Sequence, residues 1–148
     1  MTVTIRCCEP LAATPAEVWA DVERLETHPE WMVDALDLEF RTASHRGVGT
    51  EFECVTKLGP LRTRDVLVVT EWEPPAGMTI EHQGAVHGVG RFVLRAEGDG
   101  TEFCWEETLR FPWWMGGSIG EQVARPWFAR VWRGNLRRLR DRFEPPAT

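Results

Sequence analysis

The chain has 148 residues, 43% hydrophobic and 27% charged, which is the make-up of one globular domain spanning 1–148. No run approaches the ~18–20 consecutive apolar residues of a membrane span, and Arg6, Glu9 and Pro10 interrupt the place where a secretory leader needs an apolar core. No integral membrane association and a cytoplasmic location are therefore expected. The net charge of −6 argues against a general nucleic-acid binder, because neutralising phosphates needs a basic face.

That charge is uneven. Residues 116–143 hold seven Arg against Glu121 and Asp141, a local +5 that leaves −11 on the rest. The segment reads as a solvated helix face balancing nearby carboxylates, or as a surface for a membrane or an acidic partner.

Residues 2–8 are β-branched and read as a strand. Thr14-Pro15-Ala16-Glu17 starts a helix: Thr14 as N-cap, Pro15 at N1 and Glu17 at N3 complete a capping box. Val18, Trp19, Val22 and Leu25 follow at helical spacing. A second short helix restarts after His28 with Pro29-Glu30-Trp31-Met32. The period then drops to two. Leu36, Leu38 and Phe40 alternate with charged residues, as do Phe52 and Cys54. Residues 62–73 form a long strand with an apolar centre at 66–69, and 78–83 a short one. Gly88-Val89-Gly90 opens a strand over 91–96, with His87-Gly88 read as turn residues. Gly98-Asp99-Gly100 marks a hairpin, and Phe103, Trp105, Leu109 and Phe111 share one face with Glu107 among them. Beyond Pro112 the period returns to 3.6. Val123, Trp127, Phe128, Val131, Trp132, Leu136, Leu139 and Phe143 make one broad stripe, capped by Ser118 or Gly117, with a kink or restart expected at Pro126.

The chemistry-bearing set is thin. There are eight Trp and seven Phe but no Tyr, so no phenol is available as acid, base or oxyanion donor. Cys7, Cys8, Cys54 and Cys104 contain no Cys-x-x-Cys pair, and the four His show no metal-ligand spacing. The thiols read as reduced packing residues, and neither metal nor cofactor is implied. If Met78 and Ile80 point inward, so does His82; if Trp105 and Leu109 do, so does Glu107. A buried carboxylate beside an imidazole has general-base chemistry. The bland reading pairs Glu107 with an Arg and packs His82 at an edge. A one-residue phase error would exchange Glu106 for Glu107. Trp113-Trp114-Met115 before a Gly pair reads as a gate, a docking surface or a plug at the end of the sheet.

The element order and several strings resemble the START-like (SRPBCC) superfamily, in its bacterial polyketide cyclase/dehydrase-like branch. The strings are Thr14-Pro15-Ala16-Glu17-Val18-Trp19, His28-Pro29-Glu30-Trp31-Met32, Gly47-Val48-Gly49-Thr50 and Val69-Thr70-Glu71-Trp72-Glu73-Pro74-Pro75. The resemblance implies an α+β helix-grip fold: a curved seven-stranded antiparallel sheet wrapped around a long C-terminal helix, with two short helices between strands 1 and 2. It also implies a cavity between sheet and helix, where periodicity alone leaves a packed core equally open. The expected lining is Phe40, Phe52, Cys54, His82, Phe92, Trp105, Glu107, Trp127, Phe128 and Val131, with Trp113 and Trp114 as gate. The expected function is binding of a small hydrophobic, lipid- or polyketide-like molecule. The alternatives are a cyclase/dehydratase-type enzyme using His82 and Glu107, which the lack of Tyr argues against, and a partner-binding module. A homodimer is left open.

Overall fold

The computed structural model describes residues 3–144. The chain runs β1 (Val3–Leu11), α1 (Pro15–Val22), a 3-10 turn (Leu25–Glu30), β2 (Ala35–Phe40), β3 (Glu51–Leu58), β4 (Leu61–Glu73), β5 (Gly77–Gln83), β6 (His87–Glu97), β7 (Gly100–Arg110), a 3-10 turn (Trp113–Met115) and α2 (Gly117–Asp141). The seven strands form one antiparallel sheet in the order β1-β7-β6-β5-β4-β3-β2. This is the helix-grip architecture expected. Among the described residues no helix is long and apolar enough to cross a membrane.

Local chemistry sets the boundaries. The Thr14 hydroxyl accepts the Glu17 N–H at 3.3 Å and the Glu17 carboxylate accepts the Thr14 N–H at 3.4 Å, which satisfies two of the donors a helix start leaves free. The second helix differs from expectation. It is a 3-10 turn that contains His28 and Pro29 and ends before Trp31. The buried His28 Nε2 shares a 2.7 Å hydrogen bond with the Val22 carbonyl at the end of α1, so His28 joins the two turns and does not break them.

Strand phase follows the sequence except at two irregularities, one between Ala35 and Asp37 and one between Val69 and Glu71. A bulge between Ala35 and Asp37 turns Leu36 outward, leaving it 40% exposed; an inserted residue re-aims side chains in this way. β6 begins at His87, so Gly88 and Gly90 lie inside the strand and not before it.

α2 is one continuous helix through Pro126, with no restart. Its first residue follows Gly116, whose φ of 92° suits glycine, and no side chain caps it. The buried face is narrower than the expected stripe: Glu121, Phe128, Trp132, Asn135, Leu136 and Leu139 are buried, whereas Val123 is 75% exposed. An aromatic row joins helix to sheet, Phe128 stacking on Trp132 and Trp132 on Trp105 with ring centroids 5.1 and 5.0 Å apart. Trp31, almost wholly buried, meets Phe103 and Trp105 edge-on. Such pairs contribute ~0.5–1.5 kcal/mol each beyond the area they bury.

Polar groups fix the helix in register. Asn135, fully buried, accepts the Val33 N–H at 3.1 Å and donates to Asp34 at 2.7 Å. Arg138 donates to the Trp31 carbonyl, Arg140 to Glu9 and Arg142 to both Asp21 and Glu30. Part of the basic segment therefore balances carboxylates of its own chain. Cys7 and Cys54 are free and buried, but Cys8 and Cys104, opposite one another in the β1–β7 register, form a disulfide. This corrects the expectation of four reduced thiols. Alternation points Cys7 into the core and Cys8 outward, and the outward one meets Cys104 on the neighbouring strand.

Candidate functional site

A cavity of about 120 Å³ lies between the sheet and α2. One water needs ~10–15 Å³ on the same measure, so this is a chamber and not a packing defect. The sheet side presents Phe52 and Cys54 from β3, Asp65 and Leu67 from β4, Met78, Ile80 and His82 from β5, Phe92 from β6, and Trp105, Glu107 and Leu109 from β7. Ala35 and Leu38 of β2 complete the sheet wall, and Phe128 and Trp132 of α2 with Met32 and Asp34 close the chamber. The surface is mainly apolar, with a few polar groups converging, as in small-molecule sites generally.

His82 and Glu107 are brought together across a whole strand. His82 pairs with Gly88 and Glu107 with Gly90, so β6 runs between them. Two strand spacings are ~9.6 Å, and the side chains span that gap only because the intervening inward positions are glycines. A Cβ at Gly90 would stand 2.8 Å from Glu107 Oε1. The His82 Nε2 to Glu107 Oε1 distance is 2.6 Å, with side chains 26% and 6% exposed. Glu106 is not the inward residue; Glu107 is. Burial disfavours charge on His82, but the Glu107 carboxylate, by charge and hydrogen bond and helped by Asp65 and Asp34, outweighs it and holds the imidazole pKa above its usual value.

Two further carboxylates face the same space. Asp65 accepts from the Thr63 hydroxyl at 2.8 Å and the Ala85 N–H at 3.1 Å. Asp34 accepts from Asn135 at 2.7 Å and Trp132 Nε1 at 3.2 Å, and burial pushes its pKa up. Burial also pushes the Cys54 thiol up to about 11 and holds His28 below the ordinary imidazole value. A neutral His28 and a protonated Cys54 are poor proton-transfer groups near neutrality.

Of the residues expected from the sequence, Phe52, Cys54, His82, Phe92, Trp105, Glu107 and Phe128 line the cavity, and Phe40, Trp127 and Val131 do not. Phe40 stacks on His45 at 3.7 Å. Trp127 is 39% exposed and packs edge-on against Phe128, since adjacent helix positions face ~100° apart. Val131 is half-buried beside the core. Trp113 and Trp114, 87% and 58% exposed, lie outside the cavity wall. Sequence reasoning missed Asp34, Asp65 and Trp132. Asp65 had a usable signal, since it is in phase with the inward Leu67 and Val69. As for metal-ligating groups, the sulfurs of Cys8 and Cys104 and a Glu102 carboxylate oxygen lie within 4.8 Å of one another, but the disulfide leaves neither sulfur free as a thiolate ligand.

A curved sheet gripping one helix around a chamber defines a helix-grip protein. The model of the family described as polyketide cyclase / dehydrase and lipid transport matches residues 3–144, and the chain belongs to that family. No curated protein matches the sequence significantly. Among solved structures, TTHA0849 from Thermus thermophilus is similar at a TM-score of 0.80 and 18% identity, over 95% of this chain and 97% of that one. The di-domain aromatase/cyclase StfQ from the steffimycin pathway is similar at 0.77 and 12%, over 95% of this chain and 50% of StfQ. Major latex-like protein 151 from Panax ginseng is similar at 0.74 and 10%, over 97% and 99%. At these identities the likeness is one of fold.

Proposed function

We propose that this protein binds a small, mainly apolar molecule, of lipid or polyketide character, in the chamber between sheet and α2. The observation that carries the reading is the chamber itself: about 120 Å³ of space walled by Phe, Trp, Leu, Ile and Met side chains that could otherwise have packed together. Burial there favours an apolar guest by up to ~25 cal/mol per Å² of covered surface, before ordering costs are subtracted. Titration with the neutral fluorophore N-phenyl-1-naphthylamine tests it. Saturable binding is expected, and Ile80→Trp, which fills the chamber from β5, should abolish it while the circular dichroism stays native. Binding untouched by a folded Ile80→Trp protein refutes the reading, and so does no binding to the native protein.

The 2.6 Å His82–Glu107 contact inside the chamber favours one second reading, an acid–base enzyme of the cyclase or dehydratase type. On that reading His82→Ala and Glu107→Gln leave guest affinity near native but stop turnover. If both variants only lose stability, the pair is structural.

A further inference from the structure

The polar groups of the chamber are unequal in sign. Asp34, Asp65 and Glu107 line it, and His82 is the one lining side chain that readily carries positive charge. His28 is held neutral by burial and spends Nε2 on the Val22 carbonyl. Among the described residues no Lys or Arg lines the wall and none forms a salt bridge to any of the three carboxylates. The carboxylates are held in place by neutral donors: Thr63 and Ala85 on Asp65, Asn135 and Trp132 on Asp34. Glu107 goes further. Its side chain is 6% exposed, its Oε1 is taken by His82, and Oε2 has no protein hydrogen-bond partner among the described residues. Room was made for this group: side chains at Gly90 and Gly84 would collide with Glu107 and Asp65 respectively.

Glu107 Oε2 is not sealed off, unlike the unpartnered Glu121 Oε2, so a guest in the chamber can offer it a donor. Three acids against one imidazole also repel an anionic guest. Resting on the binding reading above, we infer that the chamber selects an apolar molecule with a protonated amine at one end, the ammonium donating to Glu107 Oε2 within the field of Asp65 and Asp34. The same charges discriminate against carboxylates such as fatty acids. Specificity here comes as much from repelling the wrong sign as from attracting the right one.

The test is calorimetric titration at neutral pH with three probes that share one ring system: 2-(1-naphthyl)ethylamine, 2-(1-naphthyl)ethanol and 1-naphthylacetate. The amine is expected to bind at least about tenfold more tightly than the alcohol, with the acetate weakest. Asp65→Asn combined with Glu107→Gln should bring the amine down to the affinity of the alcohol and leave the alcohol nearly unchanged. Alcohol or acetate binding as tightly as the amine overturns the charge selection while the binding reading stands. Failure of all three to bind while N-phenyl-1-naphthylamine still binds overturns the charge selection alone, and failure of that fluorophore as well overturns both. The native ranking decides without any variant, so a variant that does not fold does not rescue the idea.

Discussion

Replacing Glu107 by Gln preserves the side-chain volume and removes the charge that holds the His82 proton. The bond is short, 2.6 Å, and its carboxylate end is buried while the imidazole keeps 26% exposure. Hydrogen bonds to a charged group contribute ~1.5–3 kcal/mol, and partial exposure of His82 places this one toward the lower end. A double-mutant cycle of His82→Gln, Glu107→Gln and the pair, by urea unfolding near pH 6, should return a coupling of about 1.5–2 kcal/mol. For a chain of this size that is a Tm difference of roughly 3–8 °C. The pH dependence has a definite sign. The pKa of His82 is raised above its ordinary 6.5 in the folded protein, so its stabilisation is fully present below 6.5 and is lost as pH rises through the folded value. The same cycle near pH 9 should give a smaller coupling. A coupling under about 0.5 kcal/mol near pH 6, or one that does not fall at high pH, refutes the charged-pair description.

Gly90→Ala places a methyl 2.8 Å from Glu107 Oε1; it should cost ~1–3 kcal/mol by overpacking and shift the His82 resonances in a histidine-selective NMR spectrum. Asn135→Ala removes the acceptor of the Val33 N–H and the donor to Asp34 Oδ1, and denaturant melts should show a loss of ~2–4 kcal/mol. Thiol counting by alkylation in denaturant should find Cys7 and Cys54 without reductant and all four cysteines with it, and four reactive thiols at the outset would exclude the Cys8–Cys104 bond. In the native state Cys54 should alkylate slowly near pH 8, because its thiol is buried and pushed up to about 11 and the thiolate is the reactive form.

The fold was legible because its signals are local and repeated. The Thr14 capping box, the Gly98-Asp99-Gly100 turn and the alternation through Phe103, Trp105, Glu107 and Leu109 each fix a piece of chain without reference to the rest. Half of the dyad's geometry was legible for the same reason: phase alone turns His82 and Glu107 inward. Their contact was not, since it depends on what lies between them, two glycines on a strand that begins at His87, ahead of any readable alternation. Asp34 sits in a connection with no period to read. Leu36 departs because a bulge has no sequence signature in an otherwise alternating run. The buried stripe of α2 is narrower than its apolar pattern because hydrophobicity marks which residues could be buried. How many are depends on which face of the helix meets the sheet, and Val123 and Trp127 stay exposed.

The sheet order has a kinetic consequence. From β2 to β7 each strand lies beside its sequence neighbour, so this part can grow by short hairpins. β1 alone must find a partner at the far end of the chain, pairing Val3 with Leu109 and Leu11 with Thr101. Closing so long a loop loses entropy before any contact repays it, which slows folding. A circular permutant that links the end of α2 to the start of β1 and opens the chain between β1 and α1 would make that last pairing more local, and should reach the native state faster with the chamber unchanged.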